Sequence, residues 1–104
     1  MVKNIDSKKL SEILKAEKDA WEIIDVREKF EWDEGHIQDA KLIPMGEIVE
    51  REREIDWSKK VIFYCRSGNR SRHVADYFSQ NSKDVWNLEG GVLGFSDDFE
   101  YLEK

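Results

Sequence analysis

The only cysteine of this chain, Cys65, begins an eight-residue segment, residues 65–72, that also contains one glycine and three arginines. The segment follows the apolar run of residues 61–64, which predicts a buried strand, and it precedes a stretch with helical spacing. A thiol between a strand and a helix N-terminus, with guanidinium groups nearby, ionises more easily than a free thiol. Because the thiolate is the reactive form of cysteine, the pattern predicts a nucleophilic Cys65.

The loop after the cysteine is also expected to bind an anion through its backbone. The first amides of a helix lack intrahelical partners and lie at the positive end of its dipole. Gly68 permits a conformation that turns several N–H groups toward one point, and Ser71 is predicted to be the helix N-cap. The bound anion is either the cysteine thiolate or an oxyanion. The predicted site consists of a catalytic Cys65 and the substrate-binding residues Arg66, Ser67, Gly68, Asn69 and Arg70.

The composition limits the other functions of the chain. Its 104 residues and 39% apolar content suit one domain over residues 1–104. A net charge of −6 argues against nucleic acid or a membrane surface as a partner. One cysteine, no apolar signal core and no membrane-length apolar run indicate a reducing, cytoplasmic location. Two histidines and scattered carboxylates show no metal-ligand spacing, so no metal and no cofactor are expected.

Strands and helices are predicted to alternate along the chain. Asp6 or Ser7 is expected to cap a first helix, and a longer helix is expected to begin near Ser71. Ile48 and Val49 are assigned to a short helix. The predicted strands are residues 22–26, 42–43, 61–64 and 85–88, with a short additional strand at residues 3–5. This alternation predicts an α/β fold with a mostly parallel sheet of about five strands and helices on both faces.

Ligands of such sheets bind outside the carboxyl ends of the strands. Cys65 and Asp25 both fall at such ends, so they are expected to lie at the same edge. Asp25 and Arg27 are predicted to brace the site through an ion pair. His36 is expected to make a structural hydrogen bond, whereas His73, in the first turn of the helix, is not assigned a catalytic role.

Four motifs in order make the chain resemble the single-domain rhodaneses, a family of sulfurtransferases. Residues 65–71 are similar to the family's active-site loop, Cys-x-x-Gly-x-Arg/Thr-Ser/Ala. Residues 24–27 resemble its Asp-x-Arg strand end, and residues 34–44 resemble its Gly-His-Ile-x-Gly-Ala segment with the following Ile-Pro. Residues 88–95 resemble its Leu-x-Gly-Gly segment. Together these motifs span most of the chain, so the resemblance implies a rhodanese-like domain.

The resemblance implies a mechanism with two half-reactions. The Cys65 thiolate would attack the sulfane sulfur of a donor such as thiosulfate, and the resulting persulfide would pass its sulfur to cyanide or a thiol. Arg66 and Arg70 would receive the anionic donor, so the implied partners are a small sulfur donor and acceptor. The chain departs from the family pattern at Asp39 and Phe95, where glycine and tryptophan are common. The Arg66-Ser67 pair is a mixed case, because thiosulfate-using two-domain members tend to carry lysine at the second position and mercaptopyruvate-using members glycine then serine, so the donor stays open.

Three other functions share this kind of loop. A phosphatase or arsenate reductase loop has five residues between cysteine and arginine, whereas four separate Cys65 from Arg70 and six separate it from Arg72. A persulfide carrier would use the same cysteine and deliver sulfur to an acceptor protein. A redox or sulfide sensor would use the reactive thiol without turnover.

Overall fold

The computed structural model describes residues 2–95 and 99–103. The strands of its main sheet, within these residues, are β1 (Lys3–Ile5), β2 (Trp21–Asp25), β4 (Lys41–Leu42), β5 (Lys60–Tyr64) and β6 (Val85–Leu88). All neighbouring strands of this sheet are parallel, in the order β1-β6-β5-β2-β4. A separate antiparallel pair joins β3 (His36–Ile37) to β7 (Leu102–Glu103). The parallel five-stranded sheet confirms the prediction from the sequence.

The α-helices of the described residues are α1 (Ser7–Ala16), α2 (Lys29–Glu34) and α3 (Asn69–Gln80). Asp6, one of the two predicted caps, caps α1, because its carboxylate accepts a 2.9 Å hydrogen bond from the Lys9 amide. The short helix predicted around Ile48 and Val49 is wrong. Single 3₁₀ turns, Met45–Glu47 and Glu52–Glu54, flank these residues, and Gly46 within the first turn disfavours a longer helix.

The two faces of the sheet carry separate apolar clusters, each covered by one helix. Side chains alternate between the faces of β5, so that Ile62 and Tyr64 face α1 while Val61 and Phe63 face α3. The buried stripe of α1 consists of Leu10, Ile13 and Leu14. The buried stripe of α3 contains Val74, Ala75 and Phe78. Each large side chain buried in this way contributes about 1.5–3 kcal/mol, and helices on both faces confirm the predicted architecture.

The parallel arrangement places three strand ends at one edge of the sheet. Asp25 ends β2, Tyr64 ends β5 immediately before Cys65, and Leu88 ends β6 immediately before Glu89. Because β5 lies between β2 and β6, the cysteine is flanked by the loops that follow both neighbours. Within the described part of the chain, no helix is long and apolar enough to cross a membrane.

Candidate active site

The sulfur of Cys65 lies inside a loop of hydrogen-bond donors. Sγ accepts from the Gly68 amide at 3.1 Å, from the Ser71 amide at 3.5 Å and from the Ser71 hydroxyl at 3.4 Å. The whole residue is buried, with 0% of its surface exposed. We call this group of donors around the sulfur the cradle. It is built to hold negative charge on sulfur, because each donor directs a positive hydrogen at it.

Two glycines give the cradle its shape. Gly68 has φ +100° and precedes α3 directly, which lets the chain turn its amide back toward the cysteine. Gly91 has φ +56° and packs so closely that a Cβ there would lie 2.5 Å from the carbonyl oxygens of Cys65 and Arg66. The next amides, Val92 and Leu93, donate to those same two carbonyls at 3.0 and 2.9 Å. The carbonyls of Cys65 and Arg66 are therefore bound by the amides of Val92 and Leu93 rather than directed at the sulfur.

Ser71 connects the cradle to β6. Its hydroxyl lies 2.6 Å from Oδ1 of Asn87, 3.3 Å from the Gly68 carbonyl and 3.4 Å from Sγ. Asn87 is buried and directs its side-chain nitrogen at the Gly68 carbonyl, 3.4 Å away. The prediction that Ser71 caps α3 is wrong, because Gly68 is the N-cap. The serine lies in the first turn of α3, where its hydroxyl reaches the buried polar groups beside the helix instead of a free amide.

These contacts favour the ionised form of the cysteine. Burial alone raises the pKa of the Cys65 thiol, since the interior disfavours charge. Hydrogen bonds from the Ser71 hydroxyl and from the amides of Ser71, Gly68 and Ser67 outweigh burial, so the pKa lies below its ordinary value of 9.0. The arrangement can therefore present a sulfur nucleophile without a neighbouring base.

The loop after β2 contains the predicted ion pair. Arg27 is bound to Asp25 by its Nε at 2.9 and 3.0 Å and by a terminal nitrogen at 2.7 Å. The same terminal nitrogen donates to the Gly35 carbonyl at 2.7 Å. Asp25 is 0% exposed and Arg27 is 5% exposed, so the pair is desolvated. This confirms the bracing prediction, because the pair connects the end of β2 to the end of α2.

A second ion pair connects that loop to the cradle. Arg70 donates from both terminal nitrogens to the two carboxylate oxygens of Glu31, at 2.8 and 2.9 Å. The hydrogen bonds from Arg70 lower the pKa of Glu31 to about 2. Glu31 is also fixed by the Glu28 amide, 3.1 Å from one of its oxygens, as part of the capping box of α2.

A family model described as the rhodanese-like domain matches residues 6–98. The chain belongs to the rhodanese-like domain family.

Relatives of the chain are named for sulfur transfer. The sulfurtransferase of Allochromatium vinosum is 38% identical over 97 residues, which cover 92% of this chain and 90% of that protein. The thiosulfate sulfurtransferase GlpE of Coxiella burnetii is 33% identical over 82 residues, 70% of this chain and 77% of that protein. A solved rhodanese-like domain protein of Staphylococcus aureus matches with a TM-score of 0.84 and 33% identity, over 93% of this chain and 94% of that one. These relatives support rhodanese-type sulfur transfer with small sulfur donors and acceptors.

The residues predicted for the rhodanese-like site occupy different positions around the sulfur. Gly68 contributes an amide to the cradle, and Arg70 lies beside it in the ion pair with Glu31. The side chains of Arg66, Ser67 and Asn69 are exposed. Among residues 2–95 and 99–103, no carboxylate forms an ion pair with Arg66. The loop thus presents its amides inward and most of its polar side chains outward.

Two neighbours of the site were not identified from the sequence. Asn87 had a detectable signal, since it is a polar residue in the otherwise apolar strand Val85–Leu88, where a buried amide needs partners. Glu31 had none, because it lies 39 residues from Arg70 along the chain. The pairing arises from the adjacency of β2 and β5, which cannot be read from either segment alone.

The histidines lie outside the cradle. His36 Nδ1 is 3.1 Å from the Trp32 carbonyl, and its ring stacks on that of Trp32 at 3.6 Å, which confirms the predicted structural hydrogen bond. His73 is exposed on α3. Within the described residues, no group of three or more histidine, cysteine or acidic side chains is placed to hold a metal ion.

Proposed function

We propose that this protein is a sulfurtransferase that moves sulfane sulfur from a donor such as thiosulfate to cyanide or a thiol through a persulfide on Cys65. The observation that carries the proposal is the position of Sγ within the cradle of Gly68 and Ser71 donors. These donors stabilise a thiolate before the reaction and a persulfide anion after it. We further propose that residues 1–104 form one domain and that it works in the reducing cytoplasm.

The first half-reaction loads the cysteine. The Cys65 thiolate attacks the outer sulfur of thiosulfate, a new S–S bond forms, and the bond to the sulfonate sulfur breaks with its electron pair on the departing sulfite. Charge balances, since a thiolate and a dianion give a persulfide anion and sulfite dianion. The proposed donor-binding groups are the loop residues Arg66, Ser67, Gly68, Asn69 and Arg70.

The second half-reaction removes the sulfur from Cys65. Cyanide attacks the outer sulfur of the persulfide, the S–S bond breaks onto Sγ, and thiocyanate leaves with the thiolate restored. A thiol acceptor first loses its proton to solvent, and its thiolate then attacks in the same way and leaves as a new persulfide. No acid–base side chain is needed in either step, because Cys65 enters and leaves the cycle ionised.

The phosphatase alternative is disfavoured by the length and charge of the loop. Only four residues separate Cys65 from Arg70, one fewer than in the phosphatase loops. Arg70, which would bind the equatorial oxygens of a phosphoester, is occupied by the Glu31 carboxylate. A loop that is one residue shorter fits a sulfur species better than a phosphoester.

Exposed apolar side chains around the site favour a second candidate, delivery of the sulfur to an acceptor protein. Phe30 is 67% exposed, Leu93 is 61% exposed and Met45 is 38% exposed. Phe30 adjoins the Glu31 that binds Arg70, and Leu93 donates its amide to the Arg66 carbonyl. Met45 donates its amide to the carbonyl of Val26, in the loop after β2 that contains the buried ion pair. We call these three residues the apolar rim. An apolar rim beside a reactive sulfur is typical of a docking surface.

The acceptor that fits the rim is a protein cysteine flanked by acidic residues, because the exposed cation Arg66 is joined to Leu93 of the rim through its carbonyl. Replacing Phe30 and Leu93 by serine should raise the KM for an acidic cysteine peptide about tenfold, by loss of apolar contact. The KM for cyanide should stay the same. A Tyr77→Ser variant, which changes an exposed apolar side chain on α3, is the control. Equal effects on peptide and cyanide would count against docking at the rim.

The test of sulfur transfer is mass spectrometry of the intact protein. After addition of thiosulfate, the protein should gain one sulfur atom, and cyanide should remove it with release of thiocyanate over many cycles. The Cys65→Ala variant should fold with an unchanged circular dichroism spectrum and gain no sulfur. Full turnover in that variant would contradict the proposal. Loading only by a different sulfane-sulfur donor would keep the chemistry and change the donor.

A further inference from the structure

The charged groups beside the cradle cancel one another. Asp25 pairs with Arg27, and Glu31 pairs with Arg70, so the two carboxylates and two guanidinium groups sum to zero formal charge. We call these four residues the charge ladder. The side chain of Glu31 is 12% exposed and that of Arg70 is 37% exposed, so the second pair is the one that a donor can approach.

The Glu31–Arg70 pair occupies the groups of Arg70 that would bind a donor. Both terminal nitrogens of Arg70 point at the Glu31 carboxylate, one to each oxygen. This bidentate geometry is the one that guanidinium uses for thiosulfate-like and carboxylate anions, so the donor and Glu31 compete for the same two nitrogens of Arg70. Glu31 is held in place by the Glu28 amide, which fixes its carboxylate against displacement.

The other cations of the loop are open to solvent. Arg66 and Arg72 are exposed, and neither forms an ion pair within the described part of the chain. Water and salt screen such charges strongly, so they attract an anionic donor only weakly. The negative charge of a donor therefore meets no desolvated cation that is free of its own carboxylate.

We propose, on the basis of the sulfurtransferase function above, that Glu31 determines donor specificity by holding Arg70 in its ion pair. The consequence is a site that favours sulfane-sulfur donors of low negative charge, such as hydropersulfides and organic thiosulfonates, over the thiosulfate dianion. Glu31 is a positioning residue in this scheme, since it acts on the donor through Arg70.

Two probes separate donor charge from donor chemistry. Thiosulfate carries two negative charges, and methanethiosulfonate carries one because a methyl group replaces one oxygen. In each, the Cys65 thiolate attacks the terminal sulfur and breaks the same kind of S–S bond. The leaving group is sulfite from the first and methanesulfinate from the second, and each departs with the bonding electron pair.

The test compares kcat/KM for the two donors in the wild-type protein and in Glu31→Gln. Glutamine preserves the size of the side chain and an oxygen for the Glu28 amide, but it removes the charge that pairs with Arg70. The rate constant for methanethiosulfonate should rise about threefold and that for thiosulfate about tenfold, since electrostatic energy scales with donor charge. The gain should shrink as salt is added.

Two controls identify the cause. Glu34→Gln removes the same charge from an exposed position of α2 and should change the donor ratio less than about twofold, because exposed charges are screened. In an Arg70→Gln background, the Glu31→Gln change should lose most of its effect. A thermal melt of each variant establishes that the fold is retained.

The outcomes discriminate between the two proposals. If Glu31→Gln changed kcat/KM by the same factor for both donors, the donor ratio would be unchanged. That result would overturn the role of Glu31 while leaving sulfur transfer intact. An undiminished gain in the absence of Arg70 would overturn the route through Arg70. Failure of the wild-type protein to gain sulfur from either donor, seen by mass spectrometry, would instead refute the proposed function.

Discussion

The cradle and the charge ladder lie at the same edge of the sheet but handle charge in opposite ways. In the cradle, the Cys65 sulfur is surrounded by amides and a hydroxyl, with no cation in direct contact among the described contacts. In the ladder, every charge has a partner of opposite sign within 2.8 Å. The first region stabilises a charge with dipoles, and the second neutralises its charges with one another.

This difference indicates how the site separates reactivity from rigidity. Dipoles can stabilise a thiolate, a persulfide and a passing transition state in turn, because they carry no net charge that would bind one state too tightly. An ion pair holds one partner in one geometry, and the two pairs of the ladder fix the loops around the sulfur. The expectation is that damage to the buried Asp25–Arg27 pair of the ladder chiefly affects folding, whereas damage to the cradle chiefly affects the chemistry of Cys65.

The largest effect should come from breaking the buried half of the ladder. Asp25→Ala leaves the 5%-exposed guanidinium of Arg27 without its carboxylate. The free energy of unfolding should fall by about 3–5 kcal/mol, because an uncompensated buried charge is left behind. Urea unfolding followed by tryptophan fluorescence measures the change.

The exposed pair of Lys29 and Asp33 on α2 provides the matched control for Asp25→Ala. Asp33→Ala should cost about 0–1 kcal/mol, since both partners are solvated. Similar losses in the two variants would mean that burial does not distinguish the ladder from a surface pair.

The next largest effect should come from the segment that contains Gly91 and binds the carbonyls of Cys65 and Arg66. Gly91→Ala places a methyl group 2.5 Å from the carbonyl oxygens of Cys65 and Arg66 and requires alanine to adopt φ +56°, ψ −154°. Strain of this kind costs about 1–3 kcal/mol. Sulfur loading should fall more than stability does, because relief of the clash moves the loop. Loading rate and urea midpoint are compared with those of Gly46→Ala, where a Cβ meets nothing within 4 Å. Retention of full loading would contradict a shaping role for Gly91.

The fold was largely predictable because its signals are local. The fully apolar residues 61–64 predict a strand covered on both sides, and the stripe of Leu10, Ile13 and Leu14 predicts one face of a helix. Both patterns reflect burial of the segment itself, so the structure confirms them. The residues around Ile48 were misassigned because an apolar pair is too short a pattern to distinguish a helix from an irregular turn.

The site was predictable only where it is contiguous. Cys65 and Gly68 could be assigned because one loop contains both the nucleophile and the turn that presents the amides. Ser71 was given the wrong partner, since its hydroxyl contacts Asn87, the Cys65 sulfur and the Gly68 carbonyl rather than a free amide of the first helical turn. The contributions of Asn87 and Glu31 depend on which strands are neighbours, and that is a property of the sheet and not of any segment.

A smaller effect should follow removal of one donor from the cradle. Ser71→Ala removes the hydroxyl that lies 3.4 Å from Sγ, so the pKa of Cys65 should rise toward its ordinary value. A hydrogen bond to a charged group is worth about 1.5–3 kcal/mol, but this hydroxyl is shared with Asn87, so sulfur loading at neutral pH should slow about three- to tenfold. Ultraviolet absorbance of the thiolate follows the titration. Ser79→Ala, at the far end of α3, is the control and should leave the titration of Cys65 unchanged. If Ser71→Ala also left the titration unchanged, the role of the hydroxyl would be contradicted.

The smallest effect concerns the dependence of folding on pH at the exposed half of the ladder. The hydrogen bonds from Arg70 lower the pKa of Glu31 from its ordinary value of 4.5, which applies to the unfolded chain, to about 2 in the folded protein, so the folded state binds this proton less readily. Its contribution to stability is therefore complete above about pH 5 and is lost as the pH falls toward 2. Solvent reaches Arg70, so the loss should be on the order of 1 kcal/mol or less. Urea unfolding of the wild-type protein and Glu31→Gln should show the two curves converging in this range. Parallel curves would mean that the ion pair does not stabilise the fold, and that Glu31 acts on Arg70 without bracing the loop.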